Sequence, residues 1–283
     1  MKIAVCLSGF IRTFQHTKNS LKNILCKGIQ PDLFVHTYAE NYYEYSSGNE
    51  NVVYTIDEIR KIFEGFNVVQ LEVENRSSIL PSLLEEGKKF SHCRNYGFMI
   101  KESSDSKSVK IPVGVRIIDQ LRKIELCNNL KKDYEKKMGF TYDYVVRTRM
   151  DIFFLDTPDW SKIQENHIYT EVGCTGGYPH DCVIFGKSRE IDIFSSRYSQ
   201  LKNMLLTSTP IKGGNCSCKN IVPACCLCAH GTIQHICDMN NIKVVPNLIR
   251  AIIQRSKSKF HVPGIGTQDV SLLNADIRVL ITQ

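Results

Sequence analysis

The chain has 283 residues, 42% hydrophobic and 23% charged, which fits one large α/β domain or two small ones with a real core. Its net charge of +7, from 36 basic against 29 acidic residues, is spread along the chain, so it suits a polyanion such as a nucleotide diphosphate without demanding nucleic acid. The N-terminal apolar run is too short for a signal-peptide core, and no segment approaches the roughly 18 consecutive apolar residues of a membrane span. A soluble, cytoplasmic protein is therefore expected, with peripheral membrane contact through its basic surface left open.

Residues 2–7 form a compact apolar run with β-branched members, ended by Ser8-Gly9, and predict a first buried strand. A short helix is expected over about 17–26, where Leu21, Ile24 and Leu25 recur at helical spacing. Pro31-Asp32 opens a second strand through Leu33, Phe34 and Val35, whose end carries His36, Thr37 and Tyr38. Thr55 caps a helix striped by Ile56, Ile59, Ile62 and Phe63 and stopped by Gly65, and 67–73 reads as the next strand. Strand, helix, strand, helix, strand is the pattern of a mostly parallel central sheet flanked by helices. Residues 74–110 are mixed in polarity and read as a long connection with a mobile, solvated tip. Then 115–138, apolar at Ile118, Leu121, Ile124, Leu130 and Tyr134, predicts a long amphipathic helix closed near Gly139.

That helix feeds a strand over 142–151. In the second half, 167–172 reads as a strand, 173–179 as a glycine-rich loop, and 182–185 as a strand ended by Gly186. Ser188 is expected to cap a helix with Ile191, Ile193, Phe194, Tyr198 and Leu201 on its apolar face. A cysteine-rich loop, a helix over about 230–239 and a short strand over 243–245 follow. The tail beyond Arg250 reads as an irregular basic flap.

The 142–151 strand, Y-D-Y-V-V-R-T-R-M-D, delivers Arg147, Arg149 and Asp151 to its own end. In an open α/β sheet ligands bind beyond the carboxyl ends of the strands. Two guanidiniums beside one carboxylate suit an anionic group and a divalent cation, since arginine grips phosphate bidentately and Mg²⁺ or Mn²⁺ prefers oxygen ligands. An ion-paired surface turn is the competing reading. Side-chain alternation favours Arg149 for the phosphate and allows Arg147 a structural pair with a carboxylate such as Asp143. After the first strand, Gly9 permits close backbone approach to a nucleotide, and Ser8 or Arg12 can meet its base or phosphate. Gln120 and Lys123, three apart on one helical face, can touch a common ligand or form a solvated face.

Twelve cysteines without a secretory signal predict reduced thiols. Six lie within 216–237, followed or interleaved by His230 and His235. Cys216, Cys218, Cys226 and Cys228 are the candidates for a structural Zn²⁺; free thiols and a disulfide formed on oxidation are the alternatives.

The opening K-I-A-V-C-L-S-G-F-I-R-T-F, the P-D-L-F-V-H-T-Y strand, D-Q-L-R-K leading into Y-D-Y-V-V-R-T-R-M-D, and the later H-D-C-V-I-F-G-K-S are similar to a group of bacterial and giant-virus sugar transferases. These are nucleotide-sugar-dependent glycosyltransferases of the GT-A fold, and the resemblance covers roughly residues 2–198. It implies a single Rossmann-like domain over 1–250, with a nucleotide-binding half over about 1–155 and an acceptor half over about 156–250. The cysteine-rich loop would occupy 213–237, and a basic extension 251–283. The implied reaction moves a sugar from a nucleotide-diphosphate sugar, a UDP-sugar first, to a glycan or glycoprotein acceptor. Asp151 stands where other GT-A enzymes place a D-x-D ligand for donor-bound Mn²⁺ or Mg²⁺, and Asp181 is the implied general base, with His180 beside it as an alternative. Arg149 replaces the first carboxylate of a D-x-D, and His230-Gly231 stands where the family commonly has an acidic residue before a glycine. A sugar-phosphate nucleotidyltransferase and a zinc-stabilised nucleic-acid module are the rival readings. Against them, Ser8-Gly9-Phe10 is thin for a triphosphate loop, and the positive charge forms no concentrated stripe with stacking aromatics.

Overall fold

A computed structural model describes residues 1–41, 52–91, 99–104, 107–171, 181–206, 229–254, 259–262 and 266–269. The chain enters as β1 (Ile3–Gly9), turns through α1 (Phe14–Ser20) and a π-helical turn (Leu21–Leu25), and returns as β2 (Asp32–Tyr38). A small ribbon, β3 (Glu40–Asn41) with β4 (Val52–Val53), precedes α2 (Ile56–Ile62) and β5 (Asn67–Glu74). Next come α3 (Arg76–Lys88), the hairpin β6 (Met99–Ser104) and β7 (Lys107–Pro112), and the long α4 (Val113–Met138). It leads to β8 (Tyr144–Thr148) and β9 (Ile152–Phe154), then β10 (His167–Glu171) and β11 (Val183–Gly186). Helices α5 (Ser188–Ser195), α6 (Arg197–Leu206) and α7 (Ala229–Met239) follow. The described chain closes with β12 (Lys243–Ile249), β13 (Ala251–Gln254), β14 (Lys259–Val262) and β15 (Gly266–Asp269).

Seven strands form the central sheet in the order β12-β10-β11-β8-β1-β2-β5. The sheet is mostly parallel: β8, β1, β2 and β5 run together, β10 runs with β12, and β11 alone opposes both of its neighbours. From β1 the chain first builds outward through β2 to β5, then α4 carries it back to lay β8 on the other side of β1. That reversal opens a crevice at the carboxyl ends of β1 and β8, the switch point at which open α/β sheets bind ligands.

Alternation in the central strands buries both faces. Ala4, Cys6, Phe34 and Val145 pack toward Leu83, Ile118, Ile191 and Ile233 of the helices on one side. Val5, Leu7, Leu33 and Val146 pack toward Phe14, Leu21, Ile59 and Phe63 on the other. This is why those strands read as continuous apolar runs. Among the described residues no helix is long and apolar enough to cross a membrane.

Several expectations are corrected. Residues 74–110 hold α3 and the β6–β7 hairpin in place of a plain connection. The start of α3 is stabilised by Glu40, a distant carboxylate that accepts from the backbone N–H groups of Arg76 and Ser77 at 2.8 and 3.1 Å. The 142–151 strand is two strands, because the chain leaves the ladder at Arg149 and re-forms as β9 in a different sheet. Lys187, not Ser188, is the N-cap of α5; the Ser188 hydroxyl is drawn instead to Lys131 and to Glu135, at 2.9 Å. The described part of the tail is not irregular: β13, β14 and β15 extend a four-stranded antiparallel sheet from β9. The 173–179 loop, His180 and the zinc candidates Cys216, Cys218, Cys226 and Cys228 lie outside the described residues. Cys237 is packed among Ile233 and Ile236 in the core, where burial pushes its thiol up to about 12.

Candidate functional site

A cavity of about 310 Å³ opens at the carboxyl ends of β1, β2 and β8, within the range of small-molecule sites, roughly 300–1,000 Å³. All eight residues expected to meet a donor or its metal line it: Ser8, Gly9, Arg12, Gln120, Lys123, Arg147, Arg149 and Asp151. β1 delivers Ser8 and Gly9. Gly9 has φ +108°, a conformation that side-chain-bearing residues rarely adopt, so glycine fits the strand exit. Arg12 also sits in the left-handed region, at φ 47°, which for a non-glycine residue is local strain of the kind concentrated at functional sites.

Asp151 is the hub. The residue is 1% exposed, and its carboxylate accepts a fork from Arg149, Nε to Oδ1 at 2.8 Å and Nη2 to Oδ2 at 2.5 Å. Arg12 Nη1 donates to the same Oδ2 at 3.0 Å. Burial opposes the Arg149 charge, but the Asp151 carboxylate outweighs it and holds the guanidinium protonated well above its ordinary range. Thr17 and Arg149 fix the turn from behind: Thr17 Oγ1 donates to the Met150 carbonyl at 2.7 Å, and Arg149 N to the Cys182 carbonyl at 3.2 Å.

Arg147 and Arg149 both reach the cavity, since the strand ends between them. Arg147 is 2% exposed and does not pair with Asp143, which instead accepts from the Lys2 backbone N–H at 2.7 Å. Its Nη1 donates to the Asp181 carbonyl. Burial pulls its guanidinium below the usual arginine range, partly offset by Asp181. Two buried polar atoms of cavity-lining residues have no partner, Arg147 Nε and Ser8 Oγ. Leaving a buried polar group unsatisfied costs about 1–3 kcal/mol, a cost that an acceptor brought within reach would offset.

The first turns of α4 form another wall. Lys123 is almost fully buried, and its Nζ meets Thr37 O at 3.0 Å, His36 Nδ1 at 3.1 Å and Glu74 at 2.9 Å. An ammonium has three donors, so Lys123 braces β2, β5 and α4 with its charge directed at Glu74. Burial lowers its pKa to about 8 despite that partner. Gln120 donates to the Asp181 carboxylate. Asp181 is buried just ahead of β11 and is not among the residues that line the cavity; it touches the lining through Gln120 and, by its carbonyl, through Arg147.

Five further polar or aromatic groups of the cavity were not singled out as site residues from the sequence: Phe10, Tyr38, Arg76, Arg116 and Asp119. Asp119 accepts from the Tyr38 hydroxyl and from Arg76 Nε at 3.2 Å. The half-buried Phe10 ring lies 4.9 Å from Tyr38 and beneath the Arg76 guanidinium. One signal for this wall was available: Arg116, Asp119, Gln120 and Lys123 follow i, i+3, i+4, i+7, a polar stripe on one face of a helix that is apolar elsewhere.

Among the described residues, six cationic side chains therefore line the cavity (Arg12, Arg76, Arg116, Lys123, Arg147 and Arg149) against two carboxylates, Asp119 and Asp151. The N-terminus of α4 adds positive potential from its dipole. That charge balance suits an anion. Among the described residues the donor set fits a divalent cation poorly: Asp151 already holds two guanidiniums, and Asp119 is taken by Tyr38 and Arg76. No protein-family model matches the chain, and no curated protein is significantly similar to it in sequence.

Proposed function

We propose that this chain is a glycosyltransferase of GT-A type that moves a sugar from a nucleotide-diphosphate sugar, a UDP-sugar first, to a glycan or protein acceptor. The observation that carries the reading is the cationic cavity at the β1–β8 switch point, with Arg147 Nε and Ser8 Oγ buried and unpartnered beside it. Phe10 offers a flat apolar face for a base, and Gly9 lets the backbone come close to the ribose and phosphates. The sugar-transfer chemistry rests on the resemblance of the R-x-R-x-D and D-x-x-I-F-G segments.

Glycosyl transfer leaves negative charge on the departing diphosphate. Guanidiniums already held in place stabilise that charge as it develops, with little reorganisation at the moment of reaction. Arg147 and Arg149 approach from the β8 end and Arg12 from the β1 exit. Asp181 takes the proton of the acceptor hydroxyl, with Gln120 fixing its carboxylate; a base within hydrogen-bond reach contributes on the order of 10²–10⁴ in rate.

The test is a thermal-shift screen of nucleoside diphosphates and sugar nucleotides, followed by product detection with the donors that bind. A bound donor raises the melting temperature by mass action. Asp181→Asn is expected to lower turnover by at least about 100-fold while the donor-induced shift persists. Absence of a shift with every nucleoside diphosphate overturns the reading. Pyrophosphate release from a nucleoside triphosphate and a sugar phosphate replaces it with a nucleotidyltransferase.

A further inference from the structure

We infer that the cavity binds a diphosphate without a divalent cation, and that Asp151 is a positioning counter-ion for Arg12 and Arg149 rather than a metal ligand. The inference deepens the donor reading above and rests on it for the nucleotide, but the diphosphate itself can be tested separately.

Geometry carries the argument. A metal ligand must turn an oxygen lone pair toward the ion at about 2.0–2.2 Å. Asp151 has Oδ1 on Arg149 Nε and Oδ2 shared between Arg149 Nη2 and Arg12 Nη1. A dication added there would sit within a few ångströms of two fixed positive charges. The other lining carboxylate, Asp119, is held by Tyr38 and Arg76, so it does not supply a second ligand. An anion meets the opposite situation. Arg12 and Arg149 are each about one-fifth exposed, and the Asp151 side chain only 2%, so the carboxylate lies deeper than the two guanidiniums, which keep part of their surface at the cavity. Arg147 Nε and Ser8 Oγ are the independent sign of a missing acceptor: both are more than nine-tenths buried, both belong to lining residues, and neither has a partner.

In this arrangement Asp151 does two things. It holds two like-charged guanidiniums close together while no ligand is bound, which their mutual repulsion would otherwise oppose. It also fixes the Arg149 fork in one plane, so that the remaining N–H groups are pre-aimed and less side-chain freedom is lost on binding. The diphosphate then accepts from the outer edges of the fork and from Arg147, and needs no metal to neutralise it.

The experiment measures the dissociation constants of inorganic pyrophosphate and of UDP for the full chain by calorimetry, in EDTA and in Mn²⁺. Both are expected to bind in EDTA with constants within about threefold of those in Mn²⁺, a difference of under 1 kcal/mol. Binding that appears only with Mn²⁺ overturns the inference and leaves the transferase reading standing. Pyrophosphate binding in EDTA without UDP binding supports the inference and overturns the nucleotide donor. Binding of neither, in either buffer, overturns both. Arg12→Gln, at the more accessible edge, is expected to weaken pyrophosphate binding in EDTA about tenfold, the loss typical of one charge-assisted contact; an unchanged constant moves the anion away from this cluster and overturns the assignment. Asp151→Asn keeps an acceptor for Arg149 but loses the charge that holds Arg12 and Arg149 together, so it is expected to weaken pyrophosphate binding by the same factor in EDTA and in Mn²⁺. A loss seen only in Mn²⁺ would show that the carboxylate holds a metal and would overturn the inference.

Discussion

His36 is a histidine held neutral inside the fold, and it makes the protein acid-sensitive in a defined window. It is 1% exposed. Burial first, and the Lys123 ammonium second, lower its pKa to about 3. The 3.4 Å approach of Nε2 to Glu72 is therefore a contact of a neutral ring and not an ion pair, with Nδ1 accepting from Lys123. Glu74, nearby, is opposed by burial but held down to about 2 by Arg122 and Lys123. Both folded values lie below the unfolded ones. Below pH 6.5 the unfolded chain takes a proton at His36 that the folded chain refuses, so stability falls as pH drops; below about 4.5 Glu74 adds a second such proton. Each contributes a slope of up to about 1.4 kcal/mol per pH unit. Urea unfolding at half-unit steps from pH 7.5 to 4 is expected to show decline from about 6.5, steepening below 4.5. His36→Asn is expected to flatten the upper part alone. Wild-type stability that does not change between pH 7 and 5 would rule out a neutral buried His36.

At the scale of elements, α4 shows which features the chain declares locally. Its C-terminus is written in one residue: Gly139 lies at φ 68°, and its N–H reaches the Glu135 carbonyl. A Cβ there meets nothing within 4 Å, so Gly139→Ala isolates the backbone cost of a left-handed cap, about 1 kcal/mol. Denaturant melts should show that loss without a change in slope; no loss would mean the helix end relaxes to another conformation. The Thr55–Glu58 capping box of α2 was equally legible, and both halves of it form. What stayed hidden was stabilised from far away in sequence. α3 has Pro81 in its interior and no side-chain cap from Asn75; its N-terminus is satisfied by Glu40, a partner 36 positions earlier. The site divides the same way. Arg147, Arg149 and Asp151 announce themselves because charge at the end of an apolar strand is costly and conspicuous. Arg76 and Asp119 do not, since their burial depends on each other and on Tyr38. The Lys123 charge looks available in sequence and is spent on Glu74 once β5 is placed.

Taken whole, the molecule fastens its site with the far end of the described chain. β9 begins at Ile152, directly after Asp151, and is held by β13 through the pairs Ile152–Ile253, Phe153–Ile252 and Phe154–Ala251. Leu155 N also donates to the Arg250 carbonyl at 3.0 Å, while the Arg250 guanidinium forks Asp156 at 2.7 and 2.8 Å. The backbone that aims Asp151 is thus clamped between β8 in one sheet and β13 in another. Ile253 is 4% exposed and belongs to the core face beneath β9 with Ile152 and Phe154. Ile253→Ala is expected to cost about 2–4 kcal/mol from lost burial and the residual cavity, and in addition to weaken pyrophosphate binding, because the turn from Arg149 to Asp151 loses its distal anchor. Ile233→Ala provides the comparison. Ile233 is fully buried on α7 in the opposite core face and should cost a similar amount of stability, yet it supports no strand next to Asp151. The two variants, measured well below their melting temperatures, should therefore separate: similar losses in stability, but a weaker pyrophosphate constant only for Ile253→Ala. Equal constants in both would mean that β8 and Thr17 alone hold the Asp151 turn, and that the sheet built from the end of the chain serves stability and not the site.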